Sequence, residues 1–279
     1  MLGLWDSGLG GLTVAGAISA RLPRLSFLYR ADHAHAPYGA RMQKDIFELT
    51  KNELNMLFRA GCNLVIFACN TASVAALRDI QQNWLQQNWP GRNVLGVVVP
   101  VVEALNDTLP DRVVLPTAPT VQIFATDHTV RSQVFITEIY KRAPGLRVMQ
   151  TACPELVPAI ERSAGADELR ALVHQYTTVA QQNCPAPDYV ILGCTHYALI
   201  KNLFMEAMPG VPILNQPHTL AEKLESYLAR HPEYSMDYSG QHVFTTTGDI
   251  AAVNRAAAKY FTRLNLKEKF TASLLAVAA

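Results

Sequence analysis

The sequence has no CxxC pair and only five cysteines in 279 residues: Cys62, Cys69, Cys153, Cys184 and Cys194. The missing pair speaks against a zinc ribbon or a thioredoxin-type motif, and the odd count speaks against a disulfide framework. No uninterrupted apolar run approaches the ~18 residues needed to span a membrane. Charge is scarce as well, with 24 basic and 23 acidic residues giving a net +1. No basic stripe occurs, so nucleic acid is not an expected partner. The start, MLGLWDSG, has no basic flank ahead of an apolar core, so a secretory signal is not expected. A cytoplasmic protein with reduced thiols is the expectation. The glycine-rich stretch Asp6–Gly11 is neither GxGxxG nor followed by GK[ST], which excludes the usual dinucleotide and phosphate loops.

What is present is an ordinary globular composition, 49% apolar and 17% charged. The length suits about two domains of ~150 residues. Apolar strand-like runs alternate with helical stripes along the chain, which predicts an α/β fold with parallel sheets. No low-complexity linker divides it. Breaks near Pro100 and Pro209 predict one domain inserted into another, with residues 1–98 and 212–279 forming the first and 99–211 the second. The cleft between them is the expected site.

Two stretches share one device. Asp188–Leu199 reads DYVILGCTHYAL, an apolar run at Tyr189–Leu192 followed by Cys194, Thr195 and His196. Asn63–Ser73 reads NLVIFACNTAS, a run at Leu64–Phe67 followed by Cys69, Asn70 and Thr71. Each places a thiol and small hydrogen-bonding groups where a strand turns into a helix, the edge at which open α/β sheets bind ligands. For Cys62, Cys184 and Cys153 the reading is a small buried hydrophobe. For Cys69 and Cys194 it is chemistry.

The rest of the pattern predicts strands at Leu2–Trp5, Leu25–Tyr29, Val94–Val99, Val121–Phe124, Leu146–Gln150, Val211–Leu214 and Val243–Thr247. Helices are predicted at Leu12–Arg21, Met42–Ala60, Ser73–Gln87, Val101–Thr108, up to Lys141 after Ala125–Ser132, at Asp167–Gln182, Ile200–Met208 and Thr219–Arg230, and at Ile250–Leu264 with Asp249 as cap. Trp84, Trp89 and His128 read as surface residues. The stretch Val113–Leu115 fits either a strand or an inserted loop, and the apolar tail FTASLLAVAA is expected to pack on the body or on a partner. Asp6 and Ser7 point to the cleft edge, and Tyr38 to a ligand contact. His33 and His35 have metal-ligand spacing without a cluster nearby, so no metal is expected. On the residues alone, Glu161 reads as a solvated helix residue.

Taken together, DSGLGGLTV at Asp6, APYGAR at Ala36, FACNTAS at Phe67, ACPELVPAIE at Ala152, ILGCTHYAL at Ile191 and TTGD at Thr246 resemble glutamate racemases. They stand in that family's order and spacing and cover Trp5 to about Leu264. The resemblance implies two α/β domains, no cofactor, and interconversion of L- and D-glutamate for peptidoglycan synthesis, with a homodimer as the expected assembly. It implies that Cys69 and Cys194 are the catalytic thiols. Asp6 and His196 would assist proton transfer, and Glu161 would be a further carboxylate at the site. It also implies substrate contacts from Asp6–Ser7, Tyr38–Gly39, Asn70–Thr71 and Thr195–His196, and from Thr126 and Thr129 in a TxxT loop. The chain departs from the family pattern at Trp5, where Phe is usual, at Asp127–His128, at Glu155, and in a longer Val113–Thr120 stretch.

Racemisation needs a base on one face of the α-carbon and an acid on the other, which two thiols can supply. Both cysteines are expected at helix starts, which lower a thiol pKa. Backbone N–H groups with Ser7, Asn70, Thr71 and Thr195 are expected to bind the carboxylates. Two other readings stay open on the residues: an aspartate or hydantoin racemase, and a non-catalytic amino-acid-binding or thiol-sensor protein.

Overall fold

A computed structural model describes residues 1–109, 118–266 and 269–271. The Val113–Leu115 run, most of the Val113–Thr120 stretch and the tail beyond Thr271 lie outside the described residues.

Ten strands occur among the described residues: β1 Leu2–Asp6, β2 Phe27–Ala31, β3 Leu64–Phe67, β4 Asn93–Gly96, β5 Thr120–Ala125, β6 Arg147–Ala152, β7 Tyr189–Gly193, β8 Ile213–Leu214, β9 His242–Thr246 and β10 Phe270–Thr271. They build two all-parallel sheets, ordered β10-β9-β2-β1-β3-β4 and β6-β5-β7-β8. The central strands β1, β2 and β3 are buried along their whole length, as parallel strands covered by helices on both faces must be. Their continuous apolar runs in sequence have that cause.

The strand order positions the site. In the first sheet β1 lies between β2 and β3, and in the second β5 lies between β6 and β7. Connections leave each central strand in opposite directions, which opens a crevice at the carboxyl ends. Asp6 and Cys69 stand at one crevice, Thr126 and Cys194 at the other. A single core cluster takes Leu4 and Ile66 from the first sheet and Phe124 and Leu192 from the second, so the two sheets are packed against one another.

Several boundaries differ from the sequence pattern for physical reasons. The helix after Cys69 starts at Asn70, three residues earlier than the apolar period indicates, because Cys69 itself caps it by accepting the Ala72 N–H at 3.4 Å. A π turn at Ile80–Trp84 follows this helix, with one further α turn at Leu85–Asn88. Strand β4 stops at Gly96, and Val98–Thr108 is helical, since Pro100 is tolerated in a first turn. The segment after Thr126 is two helices, Asp127–Ser132 and Val134–Arg142, broken at Gln133, which has φ of 53°. Thr195–Ile200 is a 3₁₀ turn before the helix Lys201–Ala207. The helix expected from Thr219 starts at Gln216 with Pro217 in its first turn. Asp249 caps Ile250–Leu264 as expected, accepting the Ala252 N–H at 2.8 Å.

Trp84 and Trp89 are half-buried rather than surface residues. Trp89 lies 5.3 Å from the Phe58 ring and donates Nε1–H to Asn55 Oδ1 at 2.8 Å. His128 is also half-buried, and burial with the neighbouring Arg131 holds its pKa down. Of the apolar tail, Phe270 and Thr271 add a strand beside Phe244 and Thr245.

Candidate active site

The turn after β1 holds Asp6, whose Oδ2 accepts the Gly8 N–H at 2.9 Å. Its carboxyl is fully buried, and burial pushes its pKa up, opposed by His196 and the Gly11 and Gly8 N–H groups. Ser7 Oγ lies 3.2 Å from Cys69 Sγ. Gly10 matters for a steric reason. A Cβ there would lie 2.3 Å from His196 Nδ1 and 2.7 Å from Thr195 Oγ1. Only a glycine lets the first sheet's turn approach the second sheet's thiol turn so closely.

Cys69 is buried at the end of β3. The helix start was expected to lower its pKa, and the Ala72 N–H there does so, but the net shift runs the other way. Burial pushes the thiol up to about 12 and the Asp6 charge adds to it, outweighing the hydrogen bonds from Ser7 and the Ala72 N–H. Cys69 therefore rests protonated. The residue beside it, Asn70, has its amide held by Gln216 rather than turned freely to the cavity. Thr71 Oγ1 lies 3.2 Å from Thr126 Oγ1, which donates to Thr129 Oγ1 at 3.0 Å. This threonine chain links the two sheets across the crevice.

The other thiol sits in a different setting. Cys194 Sγ is 3.8 Å from His196 Nδ1, and His196 Nε2 is 3.0 Å from Glu161 Oε1. Burial alone would lower the His196 pKa. Hydrogen bonds to Cys194 and Glu161, with the negative charge of both, overcome that and raise it from 6.5 to about 10. Burial would raise the Glu161 pKa, but the His196 bond and charge hold it down. Glu161 is thus an ionised partner of an imidazolium, not the solvated helix residue that its local sequence indicates.

This pair predicts a pH effect. Glu161→Gln removes the carboxylate that supports the imidazolium, so His196 should lose its proton well below pH 10. The basic limb of a bell-shaped kcat/KM profile should move to lower pH, with the acid limb little changed. The stability profile should follow. A raised His196 pKa stabilises the folded chain fully below pH 6.5, and this contribution fades as pH rises through about 10. In Glu161→Gln it should fade earlier, as a urea titration across pH would read.

Of the thirteen residues to which the sequence points, all but Thr129 line one cavity of about 340 Å³ between the sheets. Thr129 is buried just behind it, holding Thr126. Pro154, Val157 and Pro158 add an apolar wall that local pattern does not reveal. Asp32 was not singled out either. It is fully buried and accepts from Tyr38 OH at 2.6 Å and Thr247 Oγ1 at 2.7 Å, with His35 Nδ1 at 2.8 Å. It anchors the Tyr38–Gly39 turn over the cavity. His35 is thereby engaged, and among the described residues no group of three or more His, Cys, Asp or Glu is placed to hold a metal. No helix among them is long and apolar enough to cross a membrane.

Residues 14–224 match the family model described as Asp/Glu/Hydantoin racemase. The chain belongs to that family. Within the racemase family its similarity runs strongly to one branch. It is 44% identical over 268 residues to a glutamate racemase of Roseobacter denitrificans, covering 94% of this chain and 97% of that one. The fold is similar to that of a glutamate racemase isoform of Bacillus anthracis, with a TM-score of 0.85, 25% identity and coverage of 98% and 97%. It is also similar to the glutamate racemase of Thermus thermophilus in complex with β-chloro-D-alanine, with a TM-score of 0.77, 27% identity and coverage of 99% and 97%.

Proposed function

We propose that this chain is a cofactor-independent glutamate racemase that works with Cys69 and Cys194 as its two proton-transfer groups. The observation that carries the reading is that two strand-end thiols from different sheets line one cavity, Cys69 beside the Ser7 hydroxyl and Cys194 beside the His196 imidazole. High identity to glutamate racemases along nearly the whole chain supports glutamate as the substrate over aspartate or a hydantoin.

In the direction from L-glutamate, Cys194 takes the α-proton as a thiolate whose counter-charge is the His196 imidazolium. Cys69, resting as a thiol, returns a proton to the opposite face, assisted by Asp6. The converse direction uses Cys69 as base and Cys194 as acid. Ser7, Thr71, Thr195 and the N–H groups at the helix start Asn70–Thr71 are proposed to bind the substrate carboxylates and the charge that grows on them. Tyr38–Gly39 and the Thr126–Thr129 turn close the substrate from either side. Water displaced from the cavity by the substrate would strengthen each of these contacts.

We further propose the domain limits 1–98 with 212–279, and 99–211, a homodimer as the assembly, and the cytoplasm as the place where D-glutamate is supplied for peptidoglycan. The Thermus thermophilus complex supports the use of β-chloroalanine as a probe of this site.

Solvent deuterium decides among substrates. In D₂O the protein is expected to place deuterium at the α-carbon of L- and D-glutamate, and not of L-aspartate or a hydantoin. Chelator treatment is expected to leave the exchange unchanged, with no cofactor absorbance in the purified protein. Exchange into aspartate but not glutamate would move the chain to another branch of the family. Exchange into none would leave a binding protein.

A further inference from the structure

Gln216 does not line the cavity and is only 2% exposed, yet it is hydrogen-bonded to one of the residues proposed to contact substrate, Asn70. Its Nε2 donates to Asn70 Oδ1 at 3.0 Å, and its Oε1 accepts from Asn70 Nδ2 at 2.9 Å. The same Nε2 lies 3.4 Å from the Val97 carbonyl oxygen. Asn70 is the first residue of the helix that Cys69 caps. Val97 follows β4 where the chain leaves the first sheet, and Gln216 follows β8 where it leaves the second. One buried amide therefore fastens the Cys69 helix start to both passages between the sheets.

We infer that Gln216 is a positioning residue for Cys69, fixing the first turn of its helix and so the aim of its sulfur at the α-carbon. A reciprocal amide pair is a planar, two-bond clamp, and breaking it leaves buried polar groups unpaired. The first turn would then rotate to find new partners. Cys69 is sensitive to such a shift because its sulfur is held by the Ala72 N–H of that same turn. Cys194 is carried by β7 and the Thr195 turn, with His196, itself held by Glu161, as its partner; the helix that begins at Gln216 packs on that turn, but the Gln216 amide bonds to Asn70 and Val97. The consequence is one-sided: Gln216 serves the proton transfer made by Cys69 and not that made by Cys194.

The inference rests on the proposed reading that Cys69 faces the α-hydrogen of the D-enantiomer. Elimination from β-chloroalanine separates the two sides. A thiolate removes the α-proton, chloride leaves the β-carbon with the electron pair, and the aminoacrylate product takes up water to give pyruvate and ammonium. Each enantiomer needs only the thiol on its own face, and pyruvate is the readout.

With Gln216→Leu, kcat for the D-configured analogue is expected to fall on the order of 10²-fold, since misplacing a reacting group by an ångström has that scale. For the L-configured analogue kcat should stay within about threefold. A KM change shared by both enantiomers would report the Asn70–Thr71 N–H groups, and the kcat split reports Cys69. Gln216→Glu keeps the length and the acceptor for Asn70 Nδ2, so it should show a smaller split of the same sign. It also supplies the result if the leucine variant does not fold. Equal losses for both enantiomers, or no loss, in the folded variant overturns the inference. Controls keep this apart from the functional reading. If Cys69→Ser and Cys194→Ser fail to separate the enantiomers, the two-sided reading fails. If they separate them and Gln216 variants do not, only the role of Gln216 fails.

Discussion

Cys69→Ser and Cys194→Ser are each expected to lose glutamate racemisation by roughly 10²–10⁴-fold, the scale of a removed acid–base group. Measured on glutamate alone, the two variants should be indistinguishable by direction. The equilibrium constant between enantiomers is unity, so kcat/KM must fall equally in both directions. With β-chloroalanine the two should part. Cys194→Ser should still release pyruvate from the D-configured analogue and fail on the L-configured one, and Cys69→Ser should do the reverse. The assignment of faces comes from family resemblance, while the expected separation is argued from where the two thiols lie. The two thiols belong to different sheets and have different partners, Ser7 and the Ala72 N–H for one and His196 for the other. A serine at either place leaves the opposite set of partners intact. Release of pyruvate from both enantiomers by either single variant would sink the two-sided arrangement. A swapped preference would keep the mechanism and reverse the faces.

Gly10→Ala should cost on the order of 10²-fold in kcat/KM although it removes no functional group, because it displaces two reacting elements. The added methyl would lie 2.3 Å from His196 Nδ1 and 2.5 Å from Cε1 of the same ring. Neither the ring nor the turn can yield cheaply. His196 is held by Glu161 and faces Cys194, and Thr13 Oγ1 donates both to the Gly10 carbonyl and, at 3.2 Å, to that of Thr195. The two sheets must therefore separate, or His196 must leave its sulfur. Overpacking of this kind costs typically about 1–3 kcal/mol in stability as well, readable in urea melts. Gly39→Ala is the control. It lines the same cavity, has nothing within 4 Å of its added Cβ, and should fold with unchanged stability. Wild-type rates in a folded Gly10→Ala variant would show that the close approach is not required.

How much of this could be read from the chain follows from the range of each interaction. The strands Leu64–Phe67 and Tyr189–Gly193 were legible because a fully buried parallel strand needs an unbroken apolar run, and Pro187 and the glycines punctuate it. The thiols after them were legible for the same reason. Helix starts were less so. Cys69 is an unusual capping residue, and Asn215 ahead of Gln216 makes no side-chain cap, so the apolar period alone placed both starts three residues late. Glu161 was misread locally because its partner His196 lies 35 residues on. Asn70 and Gln216 are 146 residues apart, and neither type announces the other. The net direction of the Cys69 pKa is hidden from the sequence for a related reason. A helix start is visible in sequence, whereas complete burial beside Asp6 is a property of the assembled sheets.

On the proposed mechanism, the unequal settings of the two thiols would give the protein a memory of its last turnover. A proton taken by Cys194 and another given by Cys69 would leave the charge on the opposite sulfur. The protein would then be in the form suited to the product, not to the next substrate molecule. The two forms would stand in different surroundings, with Ser7 and the Ala72 N–H beside one sulfur and His196 beside the other, even though the enantiomers they serve are equal in energy. To accept the same enantiomer again without turning over the product, the protein would have to exchange protons with water. That step would involve no amino acid at all, only water reaching the two sulfurs that line the cavity.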